Sequence, residues 1–347
     1  MKAMTKIFIP ILFLTFLISS ALLAEIIDIG SLDTDGQATE IAIANDLAYI
    51  ADGQSGLQII DISDPAEPRQ VGAFNTNGST YGVAVAGDLA YLADGTGGLV
   101  VLDVSDPTQP GEITTLTPAQ SLFYNLQLAG DVLFLTDLMN GLRIYDVSDP
   151  SQPELLALYD TPDFPHGLDV VGDYAYIADR QTGLLIVDVS DIAHPVEAGR
   201  FDTASDARDV AIYGDVALVA DYADGLRVID ISDRENCREL AFWDSPGLAY
   251  NVEIAGHYAY LSDGASGVQI FNVSDLAEPD FIGNFDTDGT SSAAVFADNL
   301  LYIADGESGL QIIELTPEIV SPNDSNFLFG CAIYALSWHR FSPAVSV

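Results

Sequence analysis

Seven aspartates, Asp52, Asp94, Asp137, Asp179, Asp221, Asp263 and Asp305, recur along the 347-residue chain at spacings of 42, 43, 42, 42, 42 and 42. Thirteen residues before them stand, in turn, Thr39, Tyr81, Tyr124, His166, Arg208, Tyr250 and Ser292. The next positions hold Glu40, Gly82, Asn125, Gly167, Asp209, Asn251 and Ala293. These positions vary where the rest of the period repeats, as a site with different demands on each side would. Tyrosine, histidine and arginine supply stacking surfaces, and the amides, acids and hydroxyls supply hydrogen bonds, which together suit a polar ligand such as a saccharide or peptide. The expected ligand-binding set is Thr39, Glu40, Tyr81, Tyr124, Asn125, His166, Arg208, Asp209, Tyr250, Asn251 and Ser292. The competing reading is a wide, wet channel in which residue identity is unconstrained.

Carboxylates suggest a second chemistry. Asp33-Thr34-Asp35-Gly36 and Asp286-Thr287-Asp288-Gly289 share features with a calcium loop, and oxygen-rich clusters favour Ca²⁺, but neither segment has the full alternation of acids closed by a chelating glutamate. Asp33, Asp35, Asp286 and Asp288 are the expected metal ligands if Ca²⁺ binds. Aspartate before glycine more often serves its own turn, and that is the structural alternative. No catalytic set is assigned, because the chain lacks a Gly-x-Ser-x-Gly elbow, a His-Glu-x-x-His pair and a phosphate loop. The remaining enzymatic reading pairs His166 with Asp209 or Glu40 in a hydrolase or lactonase-like site.

The elements that must position these residues follow from the same period. Five residues after each aspartate begins an apolar pentad: LQIID at 57, LVVLD at 99, LRIYD at 142, LLIVD at 184, LRVID at 226, VQIFN at 268 and LQIIE at 310. A period near 42 carried by short β-branched and aromatic runs fits the four-stranded blade of a β-propeller. In the second copy, strand a is read as 81–86, strand b as 89–93 and strand c as 99–104, with Gly87-Asp88 as a tight turn and Pro107 and Pro110 fixing the loop to strand d. Strands b and c are apolar on both faces, as stacked blades require. Tyr49, Tyr91, Phe134, Tyr176, Leu218, Tyr260 and Tyr302 form one column, expected to pack between blades. The last copy lacks an outer strand, and residues 26–34 match one, so the N-terminal strand should complete the seventh blade and remove an open edge. The fold class is therefore all-β, a seven-bladed β-propeller over residues 25–316.

Seven pentads in register with seven aspartates resemble the LVIVD-repeat family of exported, β-propeller-like proteins. The chain departs from that pattern at Asn272 and Glu314, which replace the closing aspartate, and in the fifth copy, where residues 232–237 lack the proline pair. The resemblance implies a surface or secreted binding module and no catalytic residue.

Charge and termini bound the setting. Eleven basic residues against 52 acidic ones give a net charge of −41 on a chain that is 49% hydrophobic, so the acidity sits on a folded protein, and nucleic acid is not an expected partner. Lys2 and Lys6 precede an uncharged apolar run over 7–24, which reads as a cleaved secretory signal, with a retained anchor as the alternative. The expected location is secreted, periplasmic or at the cell surface, and the expected state is a monomer without membrane insertion once the signal is removed. Residues 317–347 leave the repeat, and Cys331 there could pair with Cys237 or both thiols could stay free. The reading that follows is a noncatalytic binding or adhesion module for a polar ligand or protein partner. A hydrolytic enzyme and a structural spacer are the alternatives.

Overall fold

A computed structural model describes residues 26–315. The expected leader, the C-terminal tail and the pairing of Cys237 with Cys331 lie outside the described residues. Twenty-eight strands, from β1 (Ile26–Leu32) to β28 (Leu310–Leu315), form seven four-stranded antiparallel sheets, the blades of a β-propeller. Among the described residues no helix is long and apolar enough to cross a membrane.

Blade two shows how the repeat becomes a sheet. Its strands a to d are Gly82–Ala86, Leu89–Ala93, Leu99–Asp103 and Gly111–Leu116. Strands b and c are buried on both faces, whereas d is half-exposed and mixed in character. A register shift in the c–d pairing recurs at the same place in all seven blades, for example between Val101 and Leu102, between Ile144 and Tyr145, and opposite Ile312 and Ile313 where β1 completes the last blade. Such bulges add twist, which each blade needs to follow its neighbour.

The core is distributed. Seven apolar clusters each lie between two adjacent blades, so no cluster spans the ring. The expected column of Tyr49, Tyr91, Phe134, Tyr176, Leu218, Tyr260 and Tyr302 is at most 4% exposed and belongs to these clusters. Blades approach closely at their edges. A Cβ on Gly72 would collide with the Pro107 carbonyl of the next c–d loop, which accounts for glycine in the middle of that outer strand. In blade five the missing proline pair is replaced by one 3-10 turn, Arg234–Asn236, whose Arg234 guanidinium lies 4.0 Å from the centre of the Tyr174 ring.

The ring closes as the sequence suggests. β1 pairs antiparallel with β28, from Ile26 opposite Leu315 to Leu32 opposite Leu310, and Gln311 Nε2 donates to Asp28 Oδ1 at 2.6 Å. The first and last described strands thus share one sheet, and the edge of β28 is covered.

All seven repeat aspartates are 0% exposed. Each accepts hydrogen bonds from the loop that enters its blade and so ties the d–a crossover to the b–c turn. Asp94 is the fullest case among the threonine-type clamps. Thr76 Oγ1 and Thr80 Oγ1 donate to its Oδ1 at 2.6 and 2.9 Å, and the Gly78 N–H donates to its Oδ2 at 2.8 Å. Asp137 has lost the threonine and gained a cation: Arg143 Nε donates to it at 2.8 Å, with side chains 8% and 0% exposed. Burial alone would raise the Asp137 pKa, but the Leu122 N–H, Arg143, Asn140 and the Met139 N–H together hold it below the ordinary value. Burial dominates elsewhere and pushes Asp52, Asp179 and Asp221 up to about 6.

This ion pair supplies a test of the clamp. Arg143→Leu strands a buried carboxylate and should cost about 3–5 kcal/mol in urea unfolding. Arg69→Ala breaks an exposed pair, with side chains 70% and 24% exposed, and should cost about 0–1 kcal/mol. Equal effects would mean that burial does not set the strength of these pairs.

Candidate functional site: the channel mouth

Strand a of each blade has only one partner strand, so its inner edge presents unpaired N–H and C=O groups to the central channel. Side chains from the preceding blade satisfy several of these groups. Asp209 Oδ2 accepts from the Val252 N–H at 3.1 Å, Asn251 Oδ1 from the Ala294 N–H at 3.2 Å, Gln127 Oε1 from the Val170 N–H at 2.7 Å, and Asp169 Oδ2 from the Ile212 N–H at 2.9 Å. Thr39 Oγ1 works in the opposite sense and donates to the carbonyls of Thr80 and Tyr81. Part of the variable ring is therefore edge-capping machinery. Gly167 is glycine for a related reason: the Asp209 carboxylate lies where a Cβ would be.

Above these caps, the expected ring surrounds a cavity of about 200 Å³. Thr39, Glu40, Tyr81, Tyr124, Asn125, Arg208, Asp209, Tyr250, Asn251 and Ser292 line it, joined by Gln37 and Thr290. His166 does not line the cavity. It is 6% exposed, and its Nε2 accepts from Arg208 Nη1 at 2.8 Å, so Nδ1 carries the proton and donates to the Phe164 carbonyl at 2.9 Å.

The lining is asymmetric. Tyr81 stacks on Tyr124 with ring centres 5.2 Å apart, and Tyr124 meets His166 edge-on at 4.9 Å. Arg208 follows, with its guanidinium carbon 4.5 Å from the centre of the Tyr222 ring, and Tyr222 meets Tyr250 edge-on at 5.6 Å. These side chains form a continuous π-rich arc across blades two to six. The remaining arc, from blades seven and one, offers Ser292, Thr290, Thr39, Glu40 and Gln37. Arg208 also lies 3.6 Å from Asp206, and its Nε is buried without a hydrogen-bond partner.

Tyr222 was not expected from its residue type, yet it carries a signal. It occupies the position after the repeat aspartate, where Gly53, Gly95, Gly264 and Gly306 have φ of 57°, 55°, 61° and 57°. Arg180 and Tyr222 adopt φ of 45° and 43° there. A side chain in that region costs about 1 kcal/mol or more, and such strain concentrates where function requires a particular side chain. Both residues lead to the mouth: Arg180 Nε donates to Asp206 at 3.1 Å, and Tyr222 backs Arg208.

The hydrolytic alternative loses its base. His166 is turned to Arg208 and Phe164 rather than to Asp209 or Glu40. Burial, reinforced by the Arg208 charge, lowers its pKa to about 4. An imidazole so weakly basic, with its lone pair occupied, is a poor proton acceptor at neutral pH.

In the two segments expected as calcium loops, a threonine or a glycine N–H serves the repeat aspartate. Thr34, between Asp33 and Asp35, is the clamp donor to Asp52 Oδ1 at 2.7 Å, and in the second segment the Gly289 N–H donates to Asp305 Oδ2 at 2.8 Å. The Asp-Thr-Asp-Gly pattern thus wraps a repeat aspartate. Asp33, Asp35, Asp286 and Asp288 are exposed, and among the described residues no three His, Cys, Asp or Glu side chains are grouped to hold a metal ion.

The channel carboxylates have displaced acidities. Desolvation by the crowded channel walls raises Glu40 to about 7 and Glu253 to about 8, the latter also repelled by Asp169 and Glu40. Asp209 is raised well above its ordinary value, first by burial. A carboxyl whose folded pKa exceeds its unfolded value stabilises the fold at low pH, and that contribution is lost as pH rises through the folded pKa. His166 works in the opposite direction, but only below its ordinary value of 6.5. Between about pH 6.5 and 8 the melting temperature should therefore fall, and Glu40→Gln with Glu253→Gln should flatten the slope. A slope unchanged in the double variant would remove the assignment.

Comparison with known proteins agrees with the geometry. A profile of the LVIVD repeat matches residues 35–76, 77–117, 124–161, 166–203, 204–239 and 246–287. No curated protein matches the chain. Among solved structures, the WD40 β-propeller domain of Doa1 superposes with a TM-score of 0.71 at 9% identity, covering 84% of this chain and 97% of that one. The WD40 repeats of RRP9 give 0.68 at 11% identity, covering 84% and 100%, and the computationally designed Ika8 protein gives 0.61 at 8%, covering 82% and 98%. At such identities the likeness concerns the fold alone. The matched repeats span most of the chain, and it belongs to the LVIVD-repeat family.

Proposed function

We propose that this propeller is an exported, noncatalytic binding module that seats one polar unit of a saccharide or peptide in the channel mouth. The observation that carries this reading is the asymmetric lining, an arc of π groups from Tyr81 to Tyr250 with Arg208 within it, facing an arc of hydroxyls, an amide and Glu40. A ring or planar group can lie against the arc while its polar edge meets the opposite side. The cavity of about 200 Å³ is smaller than the roughly 300–1,000 Å³ of sites that engulf a whole small molecule. It suits a terminal sugar or a single side chain of a longer ligand.

Export is supported by the leader-like run over 7–24 that follows Lys2 and Lys6. N-terminal sequencing of the secreted protein should begin near Glu25.

Binding to arrayed saccharides and peptides tests the site. Tyr124→Ala and Arg208→Gln should each weaken capture about tenfold or more, equivalent to at least 1.4 kcal/mol, without a matching loss of melting temperature. Undiminished capture in both variants would reject the mouth as the site. Turnover of a captured ligand that Tyr124→Ala abolishes would replace the binding reading with an enzymatic one.

A further inference from the structure

The outer rim between blades five and six holds a second cavity, independent of the channel mouth. It has a volume of about 540 Å³ and is lined by Trp243, Asp244, Gln269, Phe281, Asn284 and Asp286, among others. Trp243 ends strand d of blade five, Arg238–Trp243, and Phe281 is the second residue of strand d of blade six, Asp280–Phe285. Their rings stack with centres 5.1 Å apart and planes 14° from parallel. Both meet the fully buried Phe271 edge-on, at 5.6 and 5.7 Å, so the pair is seated on the inter-blade core. Even so, Trp243 and Phe281 remain 37% and 40% exposed.

The propeller fold does not require this platform. At the position of Phe281 the preceding blades carry Gln70, Glu112, Leu155, Glu197 and Glu239. Among the described residues, only here does the rim combine an exposed tryptophan with a phenylalanine stacked against it. Around it stand Asp244, Asn284 and Asp286, all exposed, and none of their side chains is hydrogen-bonded within the described residues. Gln269 Nε2 donates to the Ser266 carbonyl at 3.0 Å, which leaves its Oε1 as a further acceptor.

We propose that this cleft binds a neutral saccharide. A pyranose presents an apolar C–H face, which lies flat on an aromatic ring, and a rim of hydroxyls that donate to carboxylates and exchange hydrogen bonds with amides. The platform and its acceptors match both features. Asp244 and Asp286 bring two negative charges with no cation among the lining residues, so uronic acids and sulfated or phosphorylated sugars are repelled. A cationic peptide would be attracted by the charge of −41, but over the whole surface, which does not single out this cleft.

Trp243 reports on its own site. The chain has two tryptophans, and Trp338→Phe in the full chain leaves Trp243 as the only tryptophan, excited selectively at the red edge of its absorption band where the 15 tyrosines do not absorb. Titration with cellohexaose or maltohexaose should shift its emission to the blue and saturate. Asn284→Ala and Asp286→Ala, which remove exposed groups, should weaken that response about tenfold with unchanged melting, and Tyr124→Ala should leave it intact. The proposal is overturned if neither hexaose shifts the emission at millimolar concentration, if only an oligolysine peptide does so, or if both rim variants titrate as the parent does.

Discussion

The structure depends on one repeated interaction, a fully buried aspartate that accepts hydrogen bonds from the loop entering its own blade. Among the described residues, adjacent blades share no strand ladder, only isolated backbone bridges such as Gly53 with Thr80, and the aspartate adds a side-chain tie between each crossover loop and the b–c turn of the blade it enters. Thr76, Thr80 and Gly78 make that tie around Asp94, and Ser245 and Gly247 make it around Asp263. A buried carboxylate is costly unless its oxygens are satisfied, which makes the loop conformation and the charge mutually dependent. Where the threonine is absent, at Asp137, the pattern survives because Arg143 supplies both a donor and a counter-charge.

The inter-blade cores and the channel caps follow from that frame. Each apolar cluster joins only adjacent blades, so stability accumulates around the ring and β1 must return to β28 to complete it. At the centre, strand a cannot be covered by another strand, and its polar edge is met by side chains about one repeat earlier. That solution places Asp169, Asp209 and Glu253 in a narrow channel and displaces their acidities. The mouth combines two layers with different duties, polar caps below and the π-rich arc above.

Much of this was legible in the sequence. The period, the apolar pentads and the orphan outer-strand segment at 26–34 encode the blades and their closure, because burial on both faces leaves no freedom in strands b and c. The mouth ring was visible as variation within a constant period. Three features were not. His166 shares its position with Tyr124 and Arg208, but its direction is set by a hydrogen bond to Arg208, which periodicity does not encode. Gln127, Asp169 and Glu253 face the channel two residues deeper than Asn125, Gly167 and Asn251, and their partners are N–H groups about one repeat later. The Asp-Thr-Asp-Gly segments look like ion loops because a clamp and a calcium loop both alternate acids with small polar residues. The clamp uses the threonine and glycine, whereas a calcium loop would use the acids.

The central claim is that the aspartate clamps hold the fold while the arc is held ready for a ligand. Thermal unfolding of the full chain carrying Asp94→Ala or Asp263→Ala, beside Tyr81→Ala, Tyr124→Ala, Tyr222→Gly and Tyr250→Ala made singly, tests it most directly. The account predicts a large fall in melting temperature for each clamp variant and little change for the mouth variants, with Tyr222→Gly relieved of its strained φ. Mouth variants that melt as early as the clamp variants would show that the arc is part of the scaffold and contradict the account.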